Sequence, residues 1–184
     1  HGRSNIQQLL LGSVAEKVVR YANCPVLTIA RGSEVQMEIN QIVVPFDFSE
    51  TAIKSIKCAA ELLLDGGELE LFYVFEKDVH PALYAWGMAS ALEMLPEVRQ
   101  KAEAKMDEIL AKLNLQNCKI KKTIYEGIPH KKISEFVNKS DADLVVMATK
   151  GLVGLDRFLL GSTNEHVIRS VKKPILTLKE NNLI

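Results

Sequence analysis

The chain has 184 residues, 47% of them hydrophobic and 6% aromatic, which is enough to bury one substantial core within the usual size of a globular domain. Its 23 basic and 23 acidic side chains cancel, so no long-range field gathers nucleic acid or an anionic membrane surface, and neither is expected as a partner. Three cysteines, Cys24, Cys58 and Cys118, stand far apart with no CxxC pair, which argues against a disulfide scaffold or a cysteine zinc site.

No apolar run approaches the ~20 residues that cross a bilayer, and the first residues lack the charged-then-apolar pattern of a secretory signal. A soluble protein of the reducing cytoplasm is the expectation. The first residue is His1 rather than a methionine, and the chain opens on what reads as the tail of a repeat. Residues 9–28 (LLLGSVAEKVVRYANCPVLT) match residues 158–177 (FLLGSTNEHVIRSVKKPILT) at a constant offset of 149, with ten of 20 positions identical. So long an offset suits a whole domain rather than a solenoid unit. Residues 1–32 therefore read as the C-terminal remnant of a first domain (a helix and a final strand), 33–37 as a linker, and 38–184 as a complete second copy.

In that second copy strand and helix signals alternate. Residues 41–45 (QIVVP) are a short β-branched run, and 49–64 carry apolar residues at helical spacing behind the N-cap candidate Ser49. Residues 69–75 (LELFYVF) form the second strand. Residues 94–113 form an amphipathic helix with Pro96 in its first turn, and 119–125 alternate like a half-buried strand. A short helix over 130–138 follows Pro129. The nearly uniform apolar run 144–148 (LVVMA) suits a strand covered on both faces, 162–171 is helical, and 174–178 (PILTL) closes the domain. The order implies right-handed crossovers and a doubly wound, five-stranded parallel sheet with helices on both faces. In such sheets ligands bind beyond the carboxyl ends of the strands, here just after Val44, Val74 and Met147.

The strongest local signal follows the fourth strand. Met147, Ala148, Thr149, Lys150 and Gly151 are followed, after nine more residues, by Gly161-Ser162 at the start of a helix. Glycine permits close backbone approach, Ser162 can cap the helix, and the free N–H groups of the first turn attract an anion. A plain loop and cap is the alternative. The recurrence of Gly2, nine residues and Gly12-Ser13 in the first copy favours a phosphate site. Asp47 reads either as a turn residue or as a carboxylate for a ribose hydroxyl or a metal-bound water. His130 reads as a first-turn helix residue, and the segment around Trp86 as a lid, a partner surface or a helix extension.

On these residues the chain resembles the universal stress protein family, whose nucleotide-binding signature is G-x2-G-x9-G-[ST]; the first glycine is Ala148 here. VPFDFSE (44–50), EGIPHKKI (126–133) and PILTL (174–178) are similar to that family's first-strand turn, third-helix entrance and final strand. The resemblance implies an adenine nucleotide alpha hydrolase-like fold and a regulatory module that binds ATP, or AMP or ADP, with Mg2+ held through the phosphates. It implies Pro45 and Asp47 beside the adenosine, Val74 giving backbone contacts to adenine, and Met147, Lys150 and Gly151 flanking ribose and phosphates. Gly161, Ser162, Thr163 and Asn164 would cradle the phosphates. It also implies pairing of domains, in a homodimer or within one chain, through the final strands 25–30 and 174–178. Two other readings stand beside it. One is a structural, dimerising domain that has lost the nucleotide, in line with Ala148. The other is an ATP pyrophosphatase-type enzyme, against which PFDFSE replaces that group's glycine-rich loop; a Walker ATPase lacks its motif altogether.

Overall fold

A computed structural model describes residues 12–30, 32–33, 38–76, 95–149 and 161–179. The segment around Trp86, the residues Lys150 and Gly151, and His1 and Gly2 lie outside them. The described chain runs through α1 (Ser13–Tyr21), β1 (Val26–Thr28), β2 (Gln41–Phe46), α2 (Glu50–Leu62), β3 (Glu68–Phe75) and α3 (Leu95–Leu113). It continues through β4 (Lys119–Glu126), α4 (Pro129–Lys139), β5 (Leu144–Thr149), α5 (Ser162–Ser170) and β6 (Ile175–Lys179). The sheet order is β1-β6-β5-β2-β3-β4. From β2 the chain winds one way to β3 and β4, then returns past β2 to lay down β5 and β6, so the direction switches between β2 and β5.

Two hydrophobic layers hold helices to the sheet. On one face Val43, Phe72, Val145 and Met147 pack against Ile133 and Val137 of α4, Val167 and Ile168 of α5, and Val19 of α1. On the other, Ile42, Val44, Leu71 and Val146 meet Ala52, Ile56 and Ala59 of α2 and Ala102 and Met106 of α3. The alternation of side chains along each strand feeds both layers, and each large residue so buried contributes about 1.5–3 kcal/mol. Ser49 caps α2 as its position suggests, accepting the Ala52 N–H at 3.2 Å. At the opposite end of the sheet, Asp143 Oδ2 accepts the N–H groups of Asn40 and Gln41, both at 2.9 Å, and so fixes where β2 starts against β5.

The expected five parallel strands are all present, and a sixth joins them. β1 pairs antiparallel with β6 in the same chain, with Val26 facing Thr177, Leu27 facing Leu176 and Thr28 facing Ile175. Leu27 and Leu176 are counterparts in the repeat, so a local two-fold axis passes between them. The surrounding contacts obey it. Thr28 Oγ1 donates to Ile175 O (3.2 Å) and its counterpart Thr177 Oγ1 to Val26 O (3.1 Å). Glu16 of α1 pairs with Arg169 of α5, while their counterparts Arg20 and Glu165 approach to 3.9 Å. Each helix also closes its own pair, Arg20–Glu16 at 3.0 Å and Arg169–Glu165 at 2.9 Å. The two arginines hold the Glu16 carboxyl below the usual carboxylate range, Arg169 most strongly. No helix among the described residues is long and apolar enough to cross a membrane.

Candidate functional site

A cavity of about 290 Å³ opens at the carboxyl ends of β2, β3 and β5, where the winding direction switches. β2 and the turn after it supply Pro45, Phe46 and Asp47, α2 supplies Ser49, Thr51 and Ala52, and β3 supplies Phe72 and Val74. Pro129 and Ile133 come from α4, Met147 and Ala148 from β5, and Gly161, Ser162, Thr163 and Asn164 from the start of α5. Eight of the ten site residues expected from sequence thus meet in one cavity; the other two, Lys150 and Gly151, lie outside the described residues. Ser49, Thr51, Phe72, Pro129 and Ile133 were not anticipated. They come from elements whose sequence signals are those of core or cap, and only the packing turns them toward the same space.

Among the described residues the α5 terminus carries no side-chain cap. Gly161 is the N-cap in extended geometry (φ −55°, ψ 145°) and no side chain caps the helix, so Ser162 is its first residue and not the cap expected of it. The first intrahelical bond runs from Glu165 N–H to Gly161 O (3.0 Å), which leaves the N–H groups of Ser162, Thr163 and Asn164 without intrahelical partners. The aligned peptide dipoles add partial positive charge at that point. A Cβ placed on Gly161 would approach nothing closer than Asn164 Nδ2, at 3.9 Å. Neither φ nor packing therefore requires glycine here. Asn164 has an intramolecular task of its own: its Nδ2 donates to Ala148 O (3.0 Å) and ties the end of β5 to the first turn of α5.

The opposite wall is set by an aromatic anchor. Phe48 adopts a left-handed backbone (φ 63°), a conformation that costs a bulky residue on the order of 1–2 kcal/mol. It is held edge-on between Phe46 and Tyr73, each 4.8 Å away, with Lys105 Nζ 4.7 Å above its ring. This turn presents Asp47, whose Oδ1 accepts the Ser49 N–H at 3.0 Å. The turn role and a ligand role are thus compatible, since Asp47 Oδ2 has no partner among the described residues. Burial, and then the charge of Asp47, raise the pKa of the Tyr73 phenol.

Unequal ladders expose Val74. Pairing of β3 with β2 ends at Tyr73 facing Phe46, whereas pairing with β4 continues to Phe75 facing Glu126. Glu68 N–H donates to Asn40 O, so by alternation Glu68, Glu70, Phe72 and Val74 direct their backbone groups to the β2 side. The Phe46–Tyr73 step is the last of that ladder and takes up the Val74 N–H, so the Val74 carbonyl is left facing the cavity end of β2. An acceptor so placed matches the exocyclic amine of a nucleobase.

His130, beside Pro129 at the start of α4, stacks on His166 of α5 with ring centroids 4.5 Å apart. Burial holds the His130 pKa down, the charges of His166 and Lys131 add to this, and Glu76 opposes it. Among the described residues no group of three or more His, Cys, Asp or Glu side chains could hold a metal ion. All three cysteines are free thiols.

The sequence model of the universal stress protein family matches residues 1–30 and 38–179. Universal stress protein MJ0531 of Methanocaldococcus jannaschii is 34% identical over 145 residues, covering 76% of this chain and 82% of its own. Universal stress protein MJ0577 of the same organism is 30% identical over 155 residues, 77% of this chain and 96% of its own. The solved structure of MJ0577 superposes with a TM-score of 0.66 over 79% of this chain and 99% of that one. A universal stress protein solved in complex with cAMP shares the fold, at 19% identity and a TM-score of 0.50 over 77% of this chain and 97% of that one.

Proposed function

The chain belongs to the universal stress protein family, and on that premise we propose that it is an adenine-nucleotide-binding regulatory module whose ligand is ATP, AMP or ADP. The observation that carries the reading is the content of one cavity. A helix terminus whose first three N–H groups have no intrahelical partner lines it together with Val74 and the Asp47 carboxylate. Phosphate binds at the start of α5, on Gly161, Ser162 and Thr163, where backbone dipoles supply the positive potential. Adenine lies along Val74, Met147 flanks the ribose and phosphates, and Asp47 accepts from the nucleoside. Asn164 serves the phosphates indirectly by fixing the turn that carries them.

The described lining contains no cationic side chain and one carboxylate, Asp47. Mg2+ would therefore enter on the phosphates rather than wait in a protein cage, with Asp47 available to a metal-bound water. A cAMP complex in a protein of this fold is in keeping with the ligand class. The work assigned to this site is binding, with conformation or association as its output in the cytoplasm, and not turnover of ATP. The local two-fold axis through Leu27 and Leu176 supports a tandem origin, in which residues 1–32 are the end of a first copy and 38–184 a second. The same edge geometry offers a route to pairing between chains.

Equilibrium titration with a fluorescent ATP analogue, chased by unlabelled ATP, AMP or cAMP with and without Mg2+, tests the reading. Saturable and displaceable binding is expected. Absence of a saturable signal at millimolar concentration would leave the structural, dimerising alternative that Ala148 brings to mind, and rapid multiple-turnover hydrolysis would favour the enzyme.

A further inference from the structure

We propose that Thr51 is a further ligand-binding residue of this cavity, its hydroxyl forming a hydrogen bond to the base-and-sugar half of the nucleotide; the inference rests on the nucleotide reading above. Five polar or charged residues are buried among those described: Thr51, Ser55, Glu70, Thr149 and Thr177. Four are satisfied within the protein. Ser55 Oγ donates to Ala52 O (2.7 Å), Thr149 Oγ1 to Leu178 O (3.1 Å) and Thr177 Oγ1 to Val26 O (3.1 Å). Glu70 accepts from Thr123 Oγ1 (2.5 Å) and Lys121 Nζ (3.3 Å). Thr51 is only 6% exposed, lines the cavity, and has no hydrogen-bond partner among the described residues.

Burying a hydroxyl and leaving it unsatisfied is unfavourable, and native proteins rarely tolerate it. The exception here sits in the wall of a cavity, which points to a partner supplied from outside the chain. A threonine hydroxyl can both donate and accept, so it matches a sugar hydroxyl or a base edge.

Position selects the nucleoside half over the phosphates. Thr51 is in the first turn of α2, whose Ala52 and Ile56 pack on one face of the sheet, beside the turn that carries Asp47. The free N–H groups at Gly161–Asn164 open α5, whose Val167 and Ile168 pack on the opposite face. A ligand anchored by phosphate on α5 crosses the gap between β5 and β2 and meets Thr51 with its other end. No charge is involved, so the contact contributes equally whether the ligand carries one phosphate or three.

Thr51→Val and Thr51→Ser, measured beside wild type for AMP and for ATP by competition against the fluorescent analogue, test this. Thr51→Val keeps the shape and removes the hydroxyl. It is expected to weaken AMP and ATP by the same factor, about 2- to 12-fold for one neutral hydrogen bond, while Thr51→Ser stays within about twofold of wild type. The nucleotide-free melting temperature of Thr51→Val should equal or exceed that of wild type, because no intramolecular bond is lost; a purely structural hydroxyl would lower it. Wild-type affinity of Thr51→Val for both ligands would overturn the proposal, as would a loss confined to ATP or one that serine fails to restore. If wild type binds neither ligand, the nucleotide reading itself fails. If wild type binds, Gly161→Ser binds more weakly, and Thr51→Val binds normally, only the role of Thr51 is wrong.

Discussion

Replacing Gly161 by serine should make the protein more stable and less able to bind nucleotide at once. At φ −55° and ψ 145° serine fits without strain, and its Cβ would be 3.9 Å from the nearest atom, Asn164 Nδ2. Loss of glycine's freedom in the unfolded chain contributes about 0.4–1 kcal/mol. A serine N-cap adds a few tenths of a kcal/mol over glycine by accepting the N–H of Thr163 or Asn164. The sum is about 0.5–1.5 kcal/mol, which for a chain of this length raises the melting temperature by about 1–5 °C. The same hydroxyl occupies a donor that the phosphate needs, and the new Cβ fills the space through which it approaches. Loss of a charge-assisted hydrogen bond, about 1.5–3 kcal/mol, lowers affinity roughly 10- to 100-fold. Thermal melts without ligand and titration of the fluorescent ATP analogue read the two effects separately. Unchanged affinity would put the phosphate elsewhere, and a marked fall in melting temperature would refute the open N-terminus from which the numbers are worked.

Other expectations follow from single contacts. Gly67→Ala should cost about 1–3 kcal/mol in a denaturant melt, because its Cβ would lie 2.9 Å from Asn40 O and 3.0 Å from Leu64 O, both backbone atoms with little room to move. Glu16 has its pKa lowered from 4.5 by Arg169 and Arg20, so its contribution is present above the unfolded value and is lost as pH falls through the folded one. Glu16→Gln should therefore melt lower than wild type at pH 7, with the gap closing once pH is taken well below 4.5. His130 has its pKa lowered from 6.5 by burial and by His166 and Lys131 against Glu76, so the fold favours the neutral ring. Wild-type stability should then decline as pH drops below 6.5, and His130→Gln should flatten that decline in melts taken across the same range.

Much of the architecture can be read directly from the chain. Side-chain period distinguishes strands from helices because it records which faces are buried, and the uniform run 144–148 already marks a strand covered on both sides. Ser49 announces a helix start because a short hydroxyl side chain satisfies an orphan N–H, and it does so here. The repeat matches Glu16 to Glu165 and Arg20 to Arg169 in sequence, and in space each glutamate meets the arginine of the other copy. The motif around Gly161 is legible for the same reason: a bare glycine ahead of a helix is a local feature.

What tertiary structure alone decided depends on where distant segments stop. The Val74 carbonyl faces the cavity because the β2 ladder ends at Tyr73, two residues before the β4 ladder ends at Phe75, a difference in length that no single strand encodes. Asp47 is held by a left-handed Phe48 that neighbours on β2, β3 and α3 jointly clamp. Sequence offers the final strands 25–30 and 174–178 as partners, but only the folded chain shows β1 meeting β6 of the same chain, antiparallel and about a local two-fold axis. Thr51 reads in the sequence as one more residue of an amphipathic helix, and only packing shows that it is buried in the cavity wall with no partner among the described residues. Local periodicity fixes which residues leave water; which polar group is left waiting is a property of the assembled whole.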